Sequence, residues 1–481
     1  MNDPQSQRAV AVVGGGLAGL SAGCALADAG FKVTLFERRP YLGGRASSYE
    51  HPGTGEVVDN CQHVLLGCCT NLLDLYRRFG AEDKIRWFDR LTFIEPGGRR
   101  SELGASALPA PLHSAPSFLT ASYLSLGDKL AIGRAMLAFM AGIPADTKED
   151  FLSWLKRHGQ TERAIERFWK VVLVSALNEN LHKTSVYYAA QVFRESFLKS
   201  ARAGKMGVPT VPLSDLYRIG GDYIHSRGGE VRLRASVDSV SPSSNGVAVT
   251  NGGQASTFDY AILAVPYTTL AKLLPQDATA TALAKQAAKF ESSPITGIHL
   301  WFDRQITDLD HAVLLDRTIQ WMFHKSRLLA VGERAFRSAS GEEKNWASAP
   351  GGGSYIELVV SASNSLVEAS RQEVIELALK ELTEFFPQVA EARLVKAAVI
   401  KEIHATYSAQ PLSDQYRPAS TTGWPNIFLA GDWTATGWPA TMEGAVRSGY
   451  KAAEALTDSL GRPDTFLVPD LKPRGLMRLF D

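Results

Sequence analysis

The sequence has few cysteines and almost no net charge. Four of its 481 residues are cysteine, and their positions (24, 61, 68 and 69) match no metal-binding spacing. Positive and negative side chains nearly cancel, leaving +1 at pH 7, so charge gives no basis for binding nucleic acid. We therefore expect reduced thiols, no metal centre and no nucleic-acid partner.

Long hydrophobic runs are missing as well. No apolar stretch reaches the roughly 18 residues that a membrane-spanning helix needs, and no signal peptide precedes the first apolar strand. We therefore expect a cytoplasmic protein, soluble or peripheral on the inner membrane of a bacterium. Two segments leave membrane contact open. The apolar helix predicted over residues 126–140 is either a core helix of the substrate domain or a membrane contact. The basic and apolar tail 471–480 either packs on the protein surface or anchors the protein at a membrane.

The most informative pattern starts at residue 10. The run Val-Ala-Val-Val over residues 10–13 predicts a buried parallel strand, and Gly14, Gly16 and Gly19 follow it. In such a motif the first glycine makes the tight turn, the second lets backbone approach a pyrophosphate, and the third lets the helix pack on the strand. The helix predicted over residues 17–29 directs its first N–H groups, at Leu17 and Ala18, toward the phosphates.

An acidic residue completes this motif. A second strand is predicted over residues 32–36 and delivers Glu37 to the end of the sheet. There a carboxylate can accept hydrogen bonds from both hydroxyls of an adenosine ribose. Strand, glycines, helix, strand and acid in this order predict a dinucleotide site.

Two further segments indicate that the dinucleotide is FAD. Arg38 is followed by Gly43, Gly44 and Arg45, a second glycine turn with a guanidinium that can pair with phosphate oxygens. Near the other end an apolar strand leads to Gly431 and Asp432, and a helix is predicted to begin near Thr441. We expect Asp432 to accept from a ribityl hydroxyl, and the backbone at Met442–Ala445 (Met442 and Ala445 above all) to face a flavin carbonyl. A nicotinamide nucleotide would not need such distant segments.

With these motifs the chain resembles the amine oxidase and phytoene desaturase class of FAD flavoproteins from about residue 8 to 460. The resemblance implies an α/β fold. A Rossmann-like FAD-binding domain of glutathione-reductase-like topology carries an inserted α+β substrate domain. It also implies that backbone at Val237 packs on the adenine.

The resemblance and the composition shifts predict an interrupted FAD domain. Its three parts are residues 8–105, 219–266 and 401–460. The substrate domain takes residues 106–218, which are rich in helical periodicity, and the mixed region 267–400. Residues 461–481 form a C-terminal tail, and residues 347–354, with proline and glycines, predict a loop.

A narrower resemblance lies in residues 58–67. Asp59-Asn-Cys61-Gln-His63 resembles the Asp-Asn-Gly-Gln-His signature of bacterial squalene-associated desaturase-like proteins, and segments 168–178 and 207–216 agree with it. The activity assigned to that group is hydroxysqualene dehydroxylase, a step in making hopanoid precursors. Cys61 replaces the usual glycine, so a positive φ there would strain the backbone.

The resemblance implies reductive chemistry on a long isoprenoid. Hydroxysqualene would lose its hydroxyl, and reduced flavin, recharged by an unknown reductant, would supply hydride to give squalene and water. Such a reaction needs a proton donor, for which Asp59 and His63 are the candidates, and Trp433, Trp438 and Tyr407 are candidate ring neighbours. Asp59 could instead bond to backbone, and His63 could be a core histidine.

Other functions remain open at this point. An oxidative carotenoid or squalene desaturase, or a flavin amine oxidase, would use the same fold with electrons flowing the other way. A third hypothesis is an isoprenoid-binding protein without flavin, against which the intact FAD motifs argue. Glu443 is predicted to compensate a helix dipole, and Ser214-Asp215 to cap a helix or contact substrate.

Overall fold

The computed structural model describes residues 7–329 and 353–480. A parallel five-stranded sheet in the order β10-β2-β1-β14-β20 forms its first layer. Four strands are rich in buried apolar residues, because helices cover both faces of such sheets. The strands are β1 (Ala9–Val13), β2 (Lys32–Glu37), β10 (Glu230–Leu233), β14 (Tyr260–Leu263) and β20 (Ile427–Leu429).

Three helices accompany this sheet. The helices α1 (Leu17–Asp28) and α14 (Met442–Ser459) pack closely, because Gly449 brings the α14 backbone against Ala18 and Ser21 of α1. The third is α9 (Leu213–Ser226), and the connection from β10 to β14 is an antiparallel meander. Its strands are β11 (Val237–Ser243), β12 (Gly246–Asn251) and β13 (Gln254–Phe258).

A seven-stranded mixed sheet, in the order β19-β15-β18-β17-β16-β7-β8, forms the core of the substrate domain. Helix α13 (Arg371–Phe385) contributes Val374, Ala378 and Leu382 to the apolar cluster that also contains Ile298 and Leu358 of the sheet. The strands are β7 (Arg90–Ile94), β8 (Arg100–Gly104), β15 (Ser292–Phe302), β16 (His311–Leu314), β17 (Trp321–His324), β18 (Ser354–Ser361) and β19 (Leu394–Tyr407).

Helices make the rest of the substrate domain, around a cluster of aromatic rings. Phe139 stacks on Trp154 and Phe193, and Trp169 meets Phe193 edge-on. Two of these helices run into π-helical turns, Ile165–Trp169 and Arg194–Leu198. The helices are α3 (Ala115–Thr120), α4 (Leu126–Ala141), α5 (Phe151–Arg157), α6 (Glu162–Ala164), α7 (Lys170–Leu177) and α8 (Val186–Phe193).

Small elements connect the two parts. The strands β3 (Ser48–Glu50) and β4 (Val57–Asp59) form a hairpin, and β5 (Leu65–Leu66), β9 (Met206–Pro209) and β6 (Ile85–Phe88) form a small sheet. The remaining helices are α2 (Thr70–Arg78), α10 (Tyr267–Leu273), α11 (Ala278–Ala287) and α12 (Lys325–Leu328).

The elements predicted around the glycine motif are confirmed, and each differs from its prediction by one residue at one end. The predicted helix over 126–140 is α4, whose Ser125 and Asp128 form a capping box. The loop predicted over residues 347–354 lies almost wholly outside the described residues. No helix within residues 7–329 and 353–480 has the length and apolarity that crossing a bilayer requires.

Candidate cofactor and active site

The glycine turn forms a cradle at the carboxyl end of β1. Gly14 has φ +111°, and a Cβ there would lie 2.4 Å from the Ala264 carbonyl oxygen. A Cβ on Gly19 would lie 1.8 Å from the Gly14 oxygen, so both positions require glycine. At Gly16 the nearest atom to a Cβ is the Gly44 Cα at 3.8 Å, and Gly16 lines the cavity. This open side is where backbone can approach a phosphate.

The N-terminus of α1 supplies the donors of this cradle. Its N-cap is Gly16, and no side chain caps the helix there. The first N–H groups of a helix have no intrahelical partner, so those of Leu17 and Ala18 are available to an anion. Both residues line the same cavity.

Glu37 is held by backbone donors at the end of β2. Its Oε2 accepts from the Gly15 N–H at 2.8 Å, and its Oε1 accepts from the Arg39 N–H at 2.7 Å. The Ala235 N–H donates to the Glu37 carbonyl oxygen, which brings Val237 to the same end of the cavity. This geometry presents a buried carboxylate at the same end of the cavity as the apolar side chain of Val237.

Arg45 and Asp432 lie together, which the sequence did not predict. Arg45 follows the turn at Gly43 and Gly44, both of which have positive φ. Its Nη2 donates to Asp432 Oδ1 at 2.6 Å, and its Nη1 donates to the Ala405 carbonyl oxygen at 2.8 Å. We expected the two side chains to bind different parts of the cofactor. The structure shows that they bind each other, which joins segments 387 residues apart.

The segment before α14 closes the other end of the cradle. Gly431 has φ +142°, and a Cβ there would lie 2.4 Å from Trp433 Nε1. The predicted helix start is confirmed: Thr441 is the N-cap of α14, and its Oγ1 accepts from the Gly444 N–H at 3.1 Å. Gly431, Met442 and Ala445 all line the cavity together with Asp432, Arg38 and Glu37.

One cavity of about 620 Å³ contains the cradle and continues into the substrate domain. Beyond the cradle its wall is mainly aliphatic and aromatic, and we call this region the apolar arm. The arm is lined by Leu91, Phe93, Val171, Val172, Val192, Phe197, Val313, Trp321, Phe323 and Val359. A mostly apolar chamber with a few polar groups is typical of a site for a large apolar ligand.

Asp59 is an ion-pair partner in the structure. It is 5% exposed, and Lys325 Nζ lies 2.7 Å from its Oδ2, while the Ser48 hydroxyl donates to its Oδ1 at 2.5 Å. Burial raises the pKa of Asp59, but Lys325 and these hydrogen bonds outweigh it, so the pKa is lowered. An ionised carboxylate has no proton to give, and this geometry disfavours Asp59 as the proton donor.

His63 lines the cavity, but its ring is held by backbone. Its Nδ1 lies 2.7 Å from the Cys61 carbonyl oxygen, so the neutral ring donates there and leaves Nε2 as an acceptor. Burial lowers the pKa of His63, which also favours the neutral ring. This geometry disfavours His63 as the acid. Cys61 is absent from the residues with positive φ, so the expected strain does not arise.

Lys325 also contacts the loop at Gln62, which lines the cavity. It donates to Gln62 Oε1 at 2.8 Å, and its Nζ lies 3.5 Å from Glu357 Oε2. Burial raises the pKa of Glu357 to about 8, in spite of Lys325. Near neutral pH the cluster therefore holds one ion pair, Lys325 with Asp59, and one neutral carboxylic acid.

The other candidates divide between the cavity and the core. Trp438 lines the cavity, whereas Trp433 and Tyr407 belong to an apolar core cluster. Glu443 accepts from the Asn71 and Leu72 N–H groups at 3.1 and 2.8 Å, so it caps α2. Ser214 and Asp215 lie in the first turn of α9 and do not line the cavity.

Several cavity residues had no sequence signal. Gln191, Glu195 and Ser196 line the cavity from α8 and the π-helical turn after it, and Lys325 lies behind the loop at Gln62. None of them belongs to a recognisable motif. Only an isolated Glu-Lys spacing of four residues, Glu195 with Lys199, could have drawn attention to this turn.

Comparisons with known proteins agree with this geometry. The family model of flavin-containing amine oxidoreductases matches residues 17–457. The chain is 28% identical to the 15-cis-phytoene desaturase of Synechococcus elongatus, over 93% of this chain and 95% of that protein. It is 26% identical to the zeta-carotene desaturase of Synechocystis, over 95% and 99% of the two chains.

The fold is similar to solved structures at lower identity. Cyclohexylamine oxidase from Brevibacterium oxydans superimposes with a TM-score of 0.64 at 18% identity, covering 95% of this chain and all of that one. At this identity the likeness concerns the fold, which agrees with an FAD-binding domain carrying an inserted substrate domain.

Proposed function

The chain belongs to the family of flavin-containing amine oxidoreductases, and we propose that it is an enzyme that reduces hydroxysqualene to squalene. FAD is its cofactor. The groups placed to hold it are the α1 N-terminus at Gly16, the Glu37 carboxylate, the Arg45–Asp432 pair and the α14 N-terminus at Met442.

The observation that carries the proposal is the apolar arm that continues from the cofactor cradle. Its aliphatic and aromatic wall offers little to a small cationic amine but can solvate a long isoprenoid by dispersion contacts. The segment from Asp59 to His63, which resembles the squalene-associated group, forms part of the wall between the cradle and the arm through Asn60, Gln62 and His63. This placement supports a substrate of the same kind as that assigned to the squalene-associated group.

Reduced FAD, when bound, supplies hydride to the carbon that loses its oxygen. The task of the protein is to hold that carbon near the cofactor, keep water out and provide a proton for the leaving hydroxyl. The arm performs the first two tasks because its apolar side chains orient the hydrocarbon and exclude solvent. The proton donor is considered below.

The test is an anaerobic single turnover. The purified yellow holoenzyme is photoreduced, hydroxysqualene is added, and flavin absorbance and products are followed. We expect reoxidation of the flavin with one equivalent of squalene formed, and no reoxidation when squalene itself is added. An unchanged reduced spectrum in the presence of hydroxysqualene would contradict the proposal.

The second candidate is an oxidative desaturase. It is favoured by the names of the relatives, a phytoene desaturase and a zeta-carotene desaturase. A desaturase would transfer electrons from substrate to the oxidised flavin. Reduction of the oxidised holoenzyme by phytoene or zeta-carotene, without reoxidation of the reduced enzyme by hydroxysqualene, would therefore select this candidate. Reduction by an amine would select amine oxidation.

We also propose that the enzyme collects its insoluble substrate at an anionic membrane surface. Leu126, Leu130 and Leu137 lie on one face of α4 and are 69%, 62% and 62% exposed. Arg194 joins the α4 end to the tail, because its guanidinium donates to the Met140 and Phe480 carbonyl oxygens, both at 2.6 Å. This brings exposed apolar side chains of the tail near α4.

Basic residues accompany this apolar surface. Arg134 on α4 and Arg478 in the tail are exposed, as is Leu479 at 79%. Apolar side chains flanked by cations fit a bilayer with anionic headgroups. We expect the L130E/L479E variant to lose cosedimentation with phosphatidylglycerol vesicles. Ile403→Glu, at an exposed apolar position on β19, is the control; equal binding by both variants would refute this surface.

A further inference from the structure

The wall of the cavity carries a polar cluster that lies outside the FAD cradle and the loop at Gln62. Gln191, Glu195 and Ser196 all line the cavity and are 8%, 7% and 4% exposed. They come from the end of α8 and the π-helical turn Arg194–Leu198. They stand beside Val192 and Phe197 of the apolar arm, so polar atoms face a space that is otherwise suited to hydrocarbon.

The hydrogen bonding of Gln191 and Ser196 is incomplete. Gln191 Nε2 donates to the Gly437 carbonyl oxygen at 2.8 Å, but its buried Oε1 has no hydrogen-bond partner among the described residues. Ser196 Oγ has only a thiol contact, 3.4 Å to Cys68 Sγ. Buried amide oxygens without partners are rare in proteins, so the cluster is suited to a ligand with a donor group.

Unlike Gln191 and Ser196, Glu195 forms an ion pair. Lys199 Nζ lies 2.6 Å from its carboxylate, and both side chains are almost buried. Arg194 and Asp470 are the other charged groups that act on it. Burial raises the pKa of Glu195 more than Lys199 lowers it, so the carboxyl holds a proton more readily than an exposed glutamate.

We infer that Gln191, Glu195 and Ser196 form the subsite for the hydroxyl of an isoprenoid alcohol, and that Glu195 gives the departing oxygen its proton. The inference rests on the proposed function. The carbon–oxygen bond breaks with its electron pair leaving on oxygen, which takes the Glu195 proton and departs as water. The hydride that replaces the oxygen on carbon would come from reduced FAD, and Glu195 regains a proton from solvent.

A pure hydrocarbon would leave Gln191 Oε1 without a hydrogen-bond partner. An alcohol can donate to Gln191 Oε1 and accept from the Glu195 carboxyl, so the cavity should distinguish two ligands that differ by one oxygen. Glu195 and Ser196 belong to the π-helical turn, and π-turns often occur at functional positions.

The experiment compares three variants as FAD holoenzymes: Q191L, E195Q and the control E166Q. Glu166 forms the same kind of pair, with Lys170 at 2.6 Å, in the other π-helical turn, but it is exposed. Binding of hydroxysqualene and of squalene is measured by the perturbation of oxidised-flavin absorbance. The rate is measured as single-turnover reoxidation of photoreduced enzyme. Flavin content and circular dichroism check folding, and E195D restores a carboxyl.

We expect wild type and E166Q to prefer hydroxysqualene over squalene by about tenfold or more, and Q191L to lose about tenfold of that preference. E195Q should bind hydroxysqualene within about twofold of wild type yet react roughly 10²-fold or more slowly, because general acids contribute about that much. E195D should recover part of the rate.

A wild-type rate in E195Q would remove the acid role from Glu195, and an unchanged preference in Q191L would place the hydroxyl elsewhere. Failure of the proposed function has a different signature. If wild type prefers hydroxysqualene but is never reoxidised by it, the dehydroxylation is wrong while the hydroxyl subsite stands. Equal binding of the alcohol and the hydrocarbon by wild type would overturn the subsite itself.

Discussion

Replacing Lys325 by methionine removes the cation that neutralises Asp59 while keeping most of the side-chain volume. The two side chains are 3% and 5% exposed, and Nζ lies 2.7 Å from the carboxylate. The same ammonium binds Gln62 Oε1 at 2.8 Å, so it connects α12 with the loop at Gln62 that lines the cavity. The change therefore tests both stability and cofactor binding.

Removing one partner of a buried ion pair costs about 3–5 kcal/mol, because the other charge is left without compensation. The whole stability of a typical domain is about 5–15 kcal/mol, so the loss should be large. The remaining hydrogen bonds to Asp59, from Ser48 and from the Leu213 N–H, cannot replace a cation. In the D59N/K325M variant no charge is left, and we expect most of the loss to be recovered.

The assay is urea unfolding of the holoenzyme at a fixed FAD concentration, because ligand binding alone shifts stability. In wild type the lowered pKa of Asp59 means that the ion pair contributes above pH 3.8 and is lost as pH falls through the lower folded-state value. In K325M this dependence should reverse, because burial then raises the pKa of Asp59. A loss below about 1 kcal/mol in K325M, or no recovery in the double variant, would refute the reasoning.

Three further predictions concern single positions. Gly16→Val should fold, but its affinity for FAD should fall by about 100-fold or more, because the valine side chain would enter the space for the phosphates. Gly19→Val should not fold, because its Cβ would lie 1.8 Å from a backbone oxygen. Equilibrium dialysis and circular dichroism distinguish the two, and normal FAD binding by the first would contradict the cradle. Because the pKa of Glu357 is raised to about 8 in the folded protein, the stability that its neutral form contributes is fully present below pH 4.5. That stability is lost as the pH rises toward about 8. The urea midpoint of the wild type should therefore fall over this pH range, and that of E357Q should not. His63→Ala should keep its flavin and lose less than about tenfold in turnover; a loss of roughly 10²-fold would return the acid role to His63.

The cofactor cradle was predictable because its signals are local. Gly14 has a positive φ, and a Cβ on Gly19 would meet the Gly14 oxygen five residues before it. The strand, turn and helix also follow one another directly in the chain. The end of β2 then places Glu37 beside the Gly15 N–H without help from distant segments. The start of α14 was predictable for the same reason, since Thr441 caps the helix that follows it.

Side-chain partners across the fold were not predictable. Lys325 and Asp59 are 266 residues apart in the chain, and no sequence pattern next to either residue indicates that they form a pair. The sequence therefore suggested a catalytic acid where the structure has a buried ion pair. At Cys61 the sequence raised the question of backbone strain, which does not arise because Cys61 is not among the residues with positive φ.

The sequence by itself determined the class of cofactor and the α/β architecture, because phosphate recognition needs small residues and helix ends at fixed local spacing. Only the tertiary structure decided which polar groups share the cavity and in which protonation state they stand there. Gln191 of α8 and Glu195 of the π-helical turn after it line the same largely apolar cavity, although no sequence motif links them. Burial and charge pairing depend on which distant segments pack together, and these set whether Asp59, Glu195 and Glu357 hold a proton.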